Sequence, residues 1–204
     1  MSQTRRRQFL IAAGALLAVP LVRAQQPARI PRVGYLFSFV RSQGEHLWQA
    51  CRQGLRELGY VEGRTIALEP RWADGHHERM NDIVAELVRL KVDVIVAAAT
   101  PASIAAKKGA GAIPVVIVAV SDPARVGLVA SLARPGGNMT GLSLLTPELS
   151  GKRLELLNEL LRRVSALGVL LNPDNRSHAV FLEETVSAGR EMRIPVQSLQ
   201  ARNP

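Results

Sequence analysis

The sequence holds one cysteine in 204 residues. An intramolecular disulfide is therefore excluded, and stability must come from a packed core. Cys51 sits in EHLWQACRQGL, on an expected helix, where a lone cysteine reads as a small buried hydrophobe. Aromatic residues make up only 4% of the chain. A nucleic-acid surface needs stacking rings beside a clustered basic face. Here the basic residues are dispersed as Arg52/Arg56, Arg89/Lys91, Lys107/Lys108, Lys152/Arg153 and Arg162/Arg163, each on the polar face of an expected helix. No nucleic-acid partner is expected. Catalytic constellations are also scarce. The adjacent histidines of DGHHE (74–78) would point about 100° apart on a helix and not converge on a metal. GNMTG lacks the phosphate-loop spacing, and G-x-S-x-G fails at Leu145. No catalytic residue, metal or cofactor is expected.

No apolar run is long enough for a membrane span of about 20 residues. The apolar stretch Phe9–Val22 follows three arginines, Arg5 to Arg7, and precedes Val22-Arg23-Ala24. A basic start, a short apolar centre and small residues before a cut make an export signal, expected at 1–24 with cleavage between Ala24 and Gln25. Arg6-Arg7 followed by Phe9 and Leu10 resembles the twin-arginine motif, with Arg5 where Ser or Thr is usual. Removing the signal takes four arginines and no acid, so net charge falls from +9 to +5.

Apolar β-branched runs then alternate with amphipathic stretches. Strands are expected at 32–39, 64–72, 93–99 and 113–120, and helices at 42–60, 77–92, 101–111 and 123–133. Ser42 and Glu45 have capping-box spacing, and Pro70 pushes its strand to an edge. The alternation predicts a doubly wound parallel-sheet α/β sandwich, with the two fully apolar strands inside. After RPGGNMTGL a second series is expected: a strand at 140–145, a helix at 147–164, a strand at 166–173, a helix at 178–193 and a strand at 195–200. The expected division is a first lobe at 30–133, a crossing at 134–143 and an incomplete second α/β lobe at 144–204.

Ligands of open parallel sheets bind outside the carboxyl ends of the strands. Those ends carry Phe37-Ser38-Phe39, Ala99-Thr100-Pro101, Ser121-Asp122-Pro123 and Leu171-Asn172-Pro173. In three of them a polar residue precedes proline. Such a residue can cap a helix whose first-turn N–H groups would suit a carboxylate. Singly, each is an ordinary helix start; together they mark one sheet edge.

RVGYL, RQGLRELGYVEGRTIALEPRWADG, TPASIAAK, SDPARVGLVASLARPGGNMTGLS and KRLELLNELL with GVLLNPDN resemble ABC transporter substrate-binding proteins of the tryptophan/tyrosine type, over residues 5–200. The resemblance implies the type I periplasmic binding fold. Its two lobes would close on an amino-acid-like solute or small carboxylate and deliver it to an ABC permease of the inner membrane. It places ligand contacts at Ser38, Thr100, Ser121, Asp122 and Asn172, with Asp122 either facing an ammonium or only capping its helix. It places a hinge crossing at Pro135, Gly136, Gly137 and Gly141. Members continue further, so the chain reads as truncated. The alternatives are a non-binding remnant, marked by exposed apolar residues on the second sheet, and an enzyme on a flavodoxin-like sheet.

Overall fold

The computed structural model describes residues 29–144, 147–161 and 164–202. The expected export features at Arg6, Arg7, Phe9, Leu10, Ala24 and Gln25 lie outside them. The described residues from Pro31 onward form one compact unit. Its elements are β1 (Arg32–Phe37), α1 (Arg41–Glu57), β2 (Ala67–Trp72), α2 (Met80–Arg89), β3 (Val94–Ala98), α3 (Thr100–Gly109), β4 (Val115–Ser121), β5 (Met139–Leu144), α4 (Ser150–Leu160), β6 (Leu167–Leu171), α5 (Arg176–Glu191) and β7 (Val196–Gln200). No helix among the described residues is long and apolar enough to cross a membrane.

The first sheet has the order β2-β1-β3-β4-β5, and all its pairs are parallel. The apolar strands β3 and β4 lie inside it, and Pro70 lies on the edge strand β2. On one face Leu36, Ile95, Ala97, Val115 and Ile117 pack with Met80, Val84 and Leu87 of α2 and with Ala102 and Ala106 of α3. On the other, Tyr35 and Phe37 pack against Trp48 of α1. Alternation along each strand sends successive side chains to these two layers.

Four sequence expectations are corrected by the structure. The strand expected to open the second series instead completes the first sheet, with β5 beside β4. Long-range contacts put it there. Met139 joins the first core, and Asn138 Nδ2 donates to the carbonyls of Gly111 and Ile113, which precede β4. Residues 123–133 form turns and bends rather than a helix. Gly127 takes φ 75°, and Lys107 Nζ donates to the Gly127 and Leu128 carbonyls, bringing nearby Val126, Leu128 and Val129 into burial. Helix α1 starts at Arg41 without a side-chain cap. Glu45 accepts from Arg41 and Gln49 side chains instead of closing a capping box with Ser42. Cys51 is exposed, and its thiol donates to the Tyr35 hydroxyl at 3.6 Å. Burial, reinforced by this contact, pushes the Tyr35 hydroxyl pKa upward.

Strands β6 and β7 form a separate parallel pair. Helix α4 packs on α5, which contacts β7. Arg125, in the turns after β4, donates to Glu183 at 2.6 Å and to Glu184 at 2.5 Å on α5. These exposed ion pairs join segments nearly sixty residues apart in sequence. Solvent screening keeps their individual stabilisation small.

Candidate functional site

The carboxyl ends of β1, β2 and β3 open onto a cavity of about 610 Å³. That volume is in the range of small-molecule sites. Ser38, Phe39, Val40 and Gln43 line it from the β1–α1 junction. Asp74, Gly75, His76 and His77 come from the loop after β2, and Ala99 and Pro101 from the start of α3. Asn172, Asn175, His178 and Arg202 close it from the second sheet and its helix.

The backbone is strained along this edge. Asp74, Ala99 and Asp122 take φ of 53°, 71° and 42°, left-handed values for residues with a Cβ. They follow β2, β3 and β4 respectively. Such conformations cost of order 1–3 kcal/mol each, persist where neighbours over-determine them, and concentrate at ligand sites.

Of the expected contacts, Ser38 and Asn172 line the cavity, whereas Thr100, Ser121 and Asp122 are not among its lining residues. Ser38 is buried and donates to the Ala98 carbonyl at 3.3 Å. Thr100 is the first residue of α3 rather than its cap, and no side chain caps that helix. Ser121 is buried at the end of β4. Asp122 Oδ1 accepts from Arg125 N at 3.0 Å, so it caps a turn. Asn172 Oδ1 accepts from Asp174 N at 2.9 Å, and its Nδ2 donates to the Arg202 carbonyl at 3.2 Å. The cap of α5 is Asn175, which accepts from Ser177 N. Among the expected hinge residues, Pro135, Gly136 and Gly137 lead into β5 and Gly141 lies within it.

In the DGHHE segment Asp74, Gly75, His76 and Glu78 are exposed and a short helical turn begins at His77. Asp74, Gly75, His76 and His77 also line the cavity, and no group of three or more candidate metal ligands occurs among the described residues. His178 and Asn175 carried no sequence signal beyond their position after Asn172-Pro173. His178 Nδ1 accepts from Asn172 N at 2.9 Å. Burial holds the imidazole below its usual pKa, outweighing an Asn172 backbone contact that raises it, and His77 opposes its charge as well. Protonating Nδ1 would also forfeit the Asn172 bond, because a backbone N–H can only donate.

The pH dependence follows in sign. A depressed histidine pKa means the unfolded chain binds more protons between the folded value and about 6.5. The His178 contribution is full above that window and is lost as pH falls through the folded pKa. Thermal unfolding between pH 7 and pH 5 should show a falling midpoint in the native protein. His178→Asn retains an acceptor near the Nδ1 position and should flatten that part of the profile. An unchanged profile would remove His178 as its source.

The family model described as ABC transporter substrate binding protein matches residues 43–204. A curated relative, the tyrosine-binding protein of Clostridioides difficile strain R20291, is 36% identical over 121 residues, covering 59% of this chain and 34% of that protein. A conserved domain protein from Vibrio cholerae O1 biovar El Tor strain N16961 superposes with TM-score 0.80 at 28% identity, covering 86% of this chain and 58% of that one. The ABC domain in complex with L-Trp from Streptococcus pneumonia gives TM-score 0.77 at 24% identity, covering 85% and 58% respectively, a likeness of fold. A leucine-binding protein of Thermotoga maritima shares the fold at TM-score 0.64 and 14% identity. The chain thus spans about a third of its curated relative and under two thirds of these solved structures. The architecture is that of a type I periplasmic binding protein, and the chain belongs to the ABC transporter substrate-binding protein family.

Proposed function

We propose that this protein binds a small solute bearing a carboxylate, amino-acid-like in size, in the cavity beyond β1, β2 and β3. It acts by binding and release, not by turnover. In this reading residues 1–24 direct export to the periplasm, and the loaded protein delivers its solute to an inner-membrane ABC permease. The five-stranded sheet β1–β5 with its helices and the β6–β7 pair with its helices act as two lobes, with the chain crossing between them after β5. One observation carries the reading: strand ends from the first sheet and the β6–α5 junction of the second face one cavity. Asp74 offers a carboxylate for a ligand ammonium, Phe39 and Pro101 an apolar wall, and Arg202, paired with Asp174 at 3.5 Å, a positive charge at the rim. The name of the tyrosine-binding relative points to the same chemistry.

A second reading, a protein that folds without binding, draws on Leu170 and Leu199. Both are exposed on the β6–β7 pair, at 73% and 52%. One experiment separates the two. Thermal unfolding with L-tyrosine, L-tryptophan or benzoate at a hundredfold its dissociation constant should add about 2.7 kcal/mol. For a domain of this size that raises the midpoint by several degrees. A midpoint that none of the three acids moves, with no heat in calorimetry, would discard the binding reading.

A further inference from the structure

Two side chains on the second-sheet wall of the cavity have their hydrogen-bonding roles fixed from behind. Asn172 N donates to His178 Nδ1 at 2.9 Å. The acceptor must be an unprotonated nitrogen, so a neutral ring carries its proton on Nε2. Asn175 Oδ1 accepts from both Ser177 N at 3.1 Å and Ser177 Oγ at 2.8 Å. The backbone N–H cannot accept, so it sets the orientation of the amide and leaves Nδ2 pointing the other way. Asn175 Nδ2 lies 3.2 Å from His178 Nε2. Both atoms then carry hydrogens, and neither has a lone pair to receive the other's. Two donors in contact, aimed by independent backbone bonds, suit one external acceptor group.

We propose that His178 Nε2–H and Asn175 Nδ2–H form a paired donor that receives the carboxylate of the ligand. The inference rests on the binding reading above and assigns residues to it. Both side chains line the cavity. A carboxylate presents two oxygens on one carbon and accepts from two neighbouring donors at once. The ionised lining is balanced, with Asp74 against Arg202. A monoanion or zwitterion fits that balance better than a doubly charged phosphate. Asn172, the residue expected to touch the ligand, becomes a positioning residue. Its side chain holds the loop, and its main-chain N–H selects the tautomer.

The test uses the whole protein and the acid, among L-tyrosine, L-tryptophan and benzoate, that shifts unfolding most. Long-range nitrogen–proton correlation spectra of the imidazole should report the Nε2–H tautomer of His178 before ligand is added. The Nε2–H resonance should move on adding the acid, and much less with its amide counterpart or inorganic phosphate. His178→Asn keeps an acceptor for Asn172 but removes Nε2–H. Asn175→Asp keeps the helix cap but replaces the donor with an anion. Each should weaken the acid roughly 10- to 100-fold while unfolding stays cooperative, the scale of losing a hydrogen bond to a charged group. An Nδ1–H tautomer overturns the inference. So do variants that bind the acid as tightly as the native protein, although the binding reading then survives. If none of the three acids binds the native protein, both fall together.

Discussion

Replacing Gly141 with alanine should remove a large share of the protein's stability. Gly141 lies in β5 opposite Ile117 of β4, with φ 146°. A Cβ there would stand 2.0 Å from the Ile117 carbonyl oxygen and 2.7 Å from its nitrogen. Both atoms are backbone inside a sheet, so neither can swing aside. The φ value alone costs of order 1–3 kcal/mol for a residue with a Cβ. Forcing β4 and β5 apart adds roughly 1–3 kcal/mol more. Total stability of a natural domain is only about 5–15 kcal/mol. Urea unfolding followed by circular dichroism should show a cooperative transition at a much lower midpoint. The control is Gly54→Ala. Gly54 sits inside α1, and an added Cβ meets nothing within 4 Å. It should raise stability by about 0.5–1 kcal/mol. A Gly141→Ala protein as stable as the native one would show that β5 does not lie against β4 in this register.

Phe37→Ala should cost about 3–5 kcal/mol, the range for deleting a buried aromatic ring. Phe37 stacks on Trp72 with centroids 4.0 Å apart and planes 15° apart. It also meets Trp48 edge-on at 5.9 Å and Phe39 at 5.7 Å. Tyr35 completes the group through an edge contact of 4.7 Å with Trp48. Aromatic pairs add roughly 0.5–1.5 kcal/mol each beyond burial, so the loss should fall toward the upper end. Trp48 and Trp72 are the only tryptophans in the sequence, so intrinsic fluorescence reports on this cluster directly. The variant should show a red-shifted emission in the folded state and an earlier unfolding transition. Phe39 runs from this cluster into the cavity lining. A damaged cluster should therefore weaken binding of the panel acids as well. A loss under about 1 kcal/mol, with unchanged emission, would mean the rings do not pack as a unit.

That cluster also illustrates what a reading of the sequence could reach. Aromatic scarcity concealed that five of the eight rings gather in one place. They come from β1, the β1–α1 junction, α1 and β2, and only the parallel register between β1 and β2 sets Phe37 beside Trp72. The same holds for the site. Ser38 and Asn172 were legible as strand ends because parallel sheets open ligand crevices there. Asp74, Asn175 and His178 were not, because their convergence depends on how two sheets face each other. Thr100, Ser121 and Asp122 looked equivalent to Ser38 in sequence. Their main chain takes them into burial or a turn instead.

The sequence by itself determined the alternation of strands and helices, the inner positions of β3 and β4, the edge position of β2 and the family. These follow from local periodicity, from the missing N–H of Pro70 and from long motifs carried in one stretch of chain. Only the tertiary structure decided that β5 joins the first sheet and that residues 123–133 turn instead of coiling. It alone set Ala119 in a bulge at φ 57° that buries Val120, and His178 beside Asn175. Each of these depends on contacts between residues far apart in the chain, or on a backbone conformation that only those contacts hold in place. Local propensity carries no record of either.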